Sequence, residues 1–123
     1  MKASILLDRE SADILKIVFG QGGFEYEEVD SVRDMTTKCL FISNSKFSIW
    51  RYWYLTMSRI SYVVVRDVPA YMSGIAKKFY LHAVGEISYP TKTTEVDKCL
   101  RAMVMANYKK SKKVKNARAT TTA

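Results

Sequence analysis

Three apolar runs close together constrain this chain more than any other feature. Cys39–Ile42, Phe47–Leu55 and Ile60–Val68 are rich in β-branched and aromatic residues, and only a few residues separate each from the next. Asn44-Ser45 fits a tight turn and Met57-Ser58 a second one. Links this short join antiparallel neighbours, because a parallel pair needs a crossover of about a dozen residues or more. The runs therefore predict an antiparallel meander. On its long central strand Phe47, Ile49, Arg51, Trp53 and Leu55 share one face, while Lys46, Ser48, Trp50, Tyr52 and Tyr54 share the other. The first set is the more apolar, so Trp50, Tyr52 and Tyr54 are placed on the outer face.

The flanking segments add helices. Ala3–Leu7 reads as a short first strand. Asp8 or Ser11 then caps a helix over Ala12–Phe19 that Gly20 terminates; the rival is a strand over Ile14–Phe19. Phe24-Glu25-Tyr26-Glu27 alternates like a half-buried strand. Asp30 or Ser31 caps a helical turn or two through Thr37. Pro69 ends the meander and opens a helix through Tyr71, Met72, Ile75, Ala76 and Phe79, stopping at Gly85. Glu86–Tyr89 is a further short strand. Thr93 or Thr94 caps the last helix, whose stripe is Val96, Cys99, Leu100, Met103, Val104 and Tyr108. The fold class expected is α+β: an antiparallel sheet of four or five strands, two or three helices, and an amphipathic C-terminal helix followed by a flexible basic tail. The chain divides into a single domain over residues 1–110 and a tail over 111–123. At 123 residues, 48% of them hydrophobic, it is long enough to bury a core of its own.

Charge is split along the length. Residues 1–34 carry eight acids against four bases, a net of −4, and the remainder carries sixteen bases against four acids, a net of +12. The steepest stretch holds Lys109, Lys110, Lys112, Lys113, Lys115 and Arg118 with no acid between them. Surfaces of this kind attract polyanions, since each cation that meets a phosphate releases counterions.

Catalytic constellations are sparse. His82 is the single histidine, so no histidine-based metal cluster can form, and Cys39 and Cys99 fall in apolar patterns as structural thiols. The Gly20-Gln21-Gly22-Gly23 segment lacks the lysine and hydroxyl residue of a phosphate loop. The acids Glu25, Glu27, Glu28, Asp30 and Asp34 form a solvated face, and no carboxylate stands two residues before a lysine as metal-dependent nucleases require. Two cysteines sixty residues apart make no disulfide framework, and no apolar run is long enough for a signal peptide or a membrane span. The expectations are a cytoplasmic, non-enzymatic chain with reduced thiols and no metal or cofactor.

The function expected from these residues is sequence-tolerant nucleic-acid binding to DNA or RNA. Phosphate contacts come from Lys98, Arg101, Lys109, Lys110, Lys112, Lys113, Lys115 and Arg118; Trp50, Tyr52 and Tyr54 stack bases, with Arg51 beside them. The alternative is a small protein-binding inhibitor or regulator, of the kind phages encode, directed at a larger nucleic-acid-handling complex of the host. The charge split also favours self-association into a homo-oligomer.

Overall fold

In the computed structural model the chain is described over residues 2–46, 48–66, 82–88 and 91–122, with side chains through Lys109. Its elements are β1 (Lys2–Leu6), α1 (Arg9–Gly22), β2 (Glu25–Glu28), a 3-10 turn (Val32–Asp34), β3 (Cys39–Ser43), a second 3-10 turn (Asn44–Lys46), α2 (Ile49–Met57), β4 (Ser61–Arg66), β5 (Gly85–Ser88) and α3 (Thr93–Thr122). The expected helix from Pro69 through Phe79 lies outside the described residues.

The sheet is parallel throughout, in the order β2-β1-β3-β4-β5. This corrects the antiparallel α+β expectation, and the cause lies in one segment. Of the residues expected to form the long central strand, Phe47–Leu55, Ser48 caps α2 and Ile49–Leu55 lie within it. With a helix between β3 and β4, the short links become a crossover and the two strands run the same way, Cys39 opposite Ser61 and Ser43 opposite Val65. Trp, Tyr and Ile are weak helix formers, which is why the segment reads as a strand; capping and packing override that preference.

Parallel strands are buried on both faces, and these are. One face carries Ala3, Ile5, Phe41, Val63, Val65 and Ile87, covered by Leu15, Val18 and Phe19 of α1 and by Val96, Leu100 and Met103 of α3. The other carries Leu6, Leu40, Ile42, Tyr62 and Val64, covered by Leu55 of α2 and by Val29 and Val32. Val29 and Val32 belong to residues 29–38, which pass from β2 over β1 to β3. That passage has no full helix, only the 3-10 turn that Ser31 caps by accepting from the Arg33 N–H at 3.3 Å.

A carboxylate fixes the passage. Ser4 Oγ donates to Glu27 Oε1 at 2.6 Å, the Thr36 N–H donates to the same oxygen at 2.7 Å, and Thr36 Oγ1 donates to Oε2 at 2.7 Å. These bonds pull the Glu27 carboxyl down from 4.5 to about 2, with Ser4 contributing most.

Both short helices end in left-handed caps. After α1, Gly23 adopts φ 70°, the Phe24 N–H returns to Phe19 O at 2.9 Å, and the two rings meet edge to face at 5.9 Å. The helix thus runs two residues past the expected stop at Gly20. On α3, Val104 and Tyr108 of the expected docking stripe are exposed. Asn107 between them still ties the helix to the sheet, donating to Lys38 O at 3.1 Å and sharing a 2.7 Å bond with Ser61 Oγ. The backbone stays helical to Thr122.

Candidate interaction surface

The helix α2 is short and held at both ends. Ser48 precedes it in extended backbone and its Oγ accepts from the Arg51 N–H at 3.2 Å. At the far end Arg59 takes φ 56°, its N–H bonding Thr56 O at 3.3 Å, and the Ile60 N–H bonds Leu55 O at 3.0 Å. Leu55 and Ile60, brought together by that cap, are both buried in the second core face. Leu55 is the one buried residue of α2.

Anchoring through Leu55 turns a large apolar face outward. Ile49, Trp50, Trp53 and Met57 are exposed to 58, 76, 60 and 66%. Ile49, Trp53 and Met57 follow one another at four-residue spacing, so they form one stripe along the helix, with Trp50 beside it. Isolated exposed apolar residues need no explanation, but a contiguous stripe with two tryptophans is the signature of a contact surface. Between this stripe and the 3-10 turn lies a groove of about 550 Å³ lined by Ser31, Val32, Arg33, Trp50, Arg51 and Trp53, among others.

Within residues 35–66 the charge is one-sided, whereas the 3-10 turn across the groove carries Asp34 beside Arg33. Residues 35–66 contain five bases, Lys38, Lys46, Arg51, Arg59 and Arg66, and no acid. Arg66 is neutralised by Glu86 at 2.7 Å. Arg33 and Arg51 on the groove are in no ion pair among the described residues, and Arg51 Nη1 donates to Lys46 O. Lys38 Nζ donates to Ser58 O at 3.2 Å, at the C-terminal end of α2.

Open α/β sheets most often bind ligands beyond the carboxyl ends of the strands, where the strand order reverses, here between β1 and β3. That position holds Asp8 after β1 and Ser43 and Asn44 at the end of β3; the Asp8 N–H donates to Ser43 Oγ at 3.0 Å. Asp8 is the one carboxylate among these three residues. No group of three or more His, Cys, Asp or Glu is assembled among the described residues. Glu27 spends its oxygens on Ser4 and Thr36, and Glu28 on Lys16.

Cysteine chemistry is equally unsupported. Burial pushes both thiols up, Cys39 next to Asn107 and Cys99 beside Glu95. His82 lies 5.8 Å from the ring of Tyr52.

The residues expected to bind nucleic acid are dispersed. Trp50, Tyr52 and Tyr54 cannot share a face on a helix as they would on a strand: Trp50 points to solvent, whereas Tyr52 and Tyr54 are half-buried, Tyr54 against the second core face. Lys98, Arg101 and Lys109 are exposed on α3, with Arg101 paired to Asp97 at 2.9 Å. The side chains of Lys110, Lys112, Lys113, Lys115 and Arg118 lie outside the described residues. Ile49, Trp53, Met57 and Arg33 had not been singled out. Read at helical rather than strand period, with Ser48 as a cap, residues 49–57 disclose Ile49, Trp53 and Met57; Arg33 lies outside that segment and the period carries no signal for it.

No family model matches the sequence, and no curated protein sequence matches it. Solved structures do. The response regulator StyR superposes with a TM-score of 0.62 at 17% identity, over 97% of this chain and 67% of StyR. NtrX from Brucella abortus gives 0.60 at 10% identity, over 89% of this chain and 28% of NtrX. The pseudo-receiver domain of the CikA protein gives 0.53 at 8%, over 84% of this chain and 95% of that domain. The fold is receiver-like. It is a flavodoxin-type α/β layer structure. This corrects the functional expectation as well: neither nucleic-acid binding nor regulation of a nucleic-acid-handling complex is supported by the receiver-like neighbours, and the aromatic stacking platform on which base binding rested does not exist. Among the described residues no helix is long and apolar enough to cross a membrane.

Proposed function

We propose that this chain is a receiver-fold signalling module that acts by contacting another protein through α2 rather than by chemistry of its own. The exposed stripe of Ile49, Trp50, Trp53 and Met57 carries the reading. Tryptophan and arginine dominate the energetics of protein contacts, and both stand at this groove. The likeness to a response regulator and to a pseudo-receiver domain supports a signalling context. The thin donor set between β1 and β3 supports a non-enzymatic module.

A photo-crosslinking amino acid placed at Trp53, and separately at Gln21 on α1, tests this in lysate of the native host. Protein adducts specific to position 53 are expected. Equal adducts at both positions, or none at 53, would count against it.

A further inference from the structure

We propose that the α2 groove takes an acidic amphipathic helix of a partner protein, its apolar anchors on Ile49, Trp50, Trp53 and Met57 and its carboxylates on Arg33 and Arg51. This names the partner's chemistry and rests on the protein-contact reading above.

Length, shape and charge each support it. The stripe from Ile49 to Met57 is about 12 Å long at 1.5 Å per residue. That spans two turns, the length over which a docked helix presents anchors at i, i+4 and i+7. Ile49, Trp50 and Trp53 line an apolar notch beside the groove. Aliphatic Ile49 and Met57 extend the surface beyond the two tryptophans, which suits leucine-like anchors better than flat bases. Two arginines line the groove and no acid does. Arg forks pair bidentately with carboxylates, so anchors flanked by Glu or Asp gain both contact and orientation. Charge also disfavours a second copy bound symmetrically, since that would set Arg33 and Arg51 of one copy near those of the other.

The chain contains two tryptophans, Trp50 and Trp53, both on this surface, so intrinsic fluorescence reports on it directly. Four probes are titrated against the full chain. They are a helical peptide of about four turns with leucine anchors and flanking glutamates, the same peptide with lysines for glutamates, the glutamate peptide with serines for leucines, and a single-stranded oligothymidylate. The leucine–glutamate peptide is expected to shift the emission and bind at least about tenfold more tightly than the other three. Trp53→Ala should weaken it by a similar factor, with Trp50 still reporting. The paired reversal Arg33→Glu and Arg51→Glu should transfer the preference to the lysine peptide, a gain that misfolding cannot mimic.

Equal binding of the glutamate and lysine peptides would overturn the acidic preference while leaving α2 a protein-contact face. Binding unaffected by Trp53→Ala would place the contact elsewhere and overturn both readings. Tightest binding by the oligothymidylate, no response to any probe, or dimerisation lost in Trp53→Ala without peptide binding would each overturn the proposal.

Discussion

Arg59 holds the left-handed backbone that closes α2, a conformation that costs a non-glycine residue about 1–2 kcal/mol. The equivalent place after α1 is a glycine, Gly23. Replacing Arg59 with glycine should therefore raise stability by about 1 kcal/mol, read as a higher urea midpoint at unchanged slope. Glu27 sits on edge strand β2 and sets a pH dependence. Its carboxyl titrates near 2 folded against 4.5 unfolded, so its contribution is complete above about pH 4.5 and is lost as pH falls toward 2. The side chain keeps contact with solvent, so about 1 kcal/mol is expected rather than the ~3 kcal/mol of the full shift. Glu27→Gln should lie below the native chain by that amount at neutral pH, and the gap should close in acid. A gap constant with pH would show that the Ser4 and Thr36 bonds do not depend on the charge.

The helix α2 has two unequal faces. Leu55→Ala removes its one buried side chain and should cost about 2–5 kcal/mol. Trp53→Ala, an exposed position, should change stability by no more than about 0.5 kcal/mol in the same unfolding experiment. The same element shows where the sequence was legible and where it was not. Apolar β-branched runs located the first, third and fourth strands, and Ser31 was readable as a cap. The stripe of Val96, Leu100 and Met103 was enough to place α3. The strand expected over Phe47–Leu55 gives way to α2 over Ile49–Met57 because aromatic content signals strands through packing, not through backbone preference. What makes these residues helical is nonlocal: Leu55 and Ile60 meeting in a core that only the folded sheet creates. Val104 and Tyr108 continue the stripe of α3 in sequence, yet both are exposed.

At the scale of the molecule, that single element decided the topology. A strand at 47–55 gives an antiparallel meander; the helix at Ile49–Met57 gives a parallel layer covered on both faces. It also relocated the charge. The acids cluster on edge strand β2 and its bonded neighbours, several of them satisfied internally, while α2 lies within the acid-free stretch 35–66. The candidate site, invisible as a strand, therefore follows from the fold. Acrylamide quenching of tryptophan emission tests that chain of reasoning most directly, because Trp50 and Trp53 are the only reporters. Emission at the wavelength of indole in water, with both residues freely quenched, is the predicted result. Blue-shifted emission with either tryptophan protected would contradict an outward-facing α2.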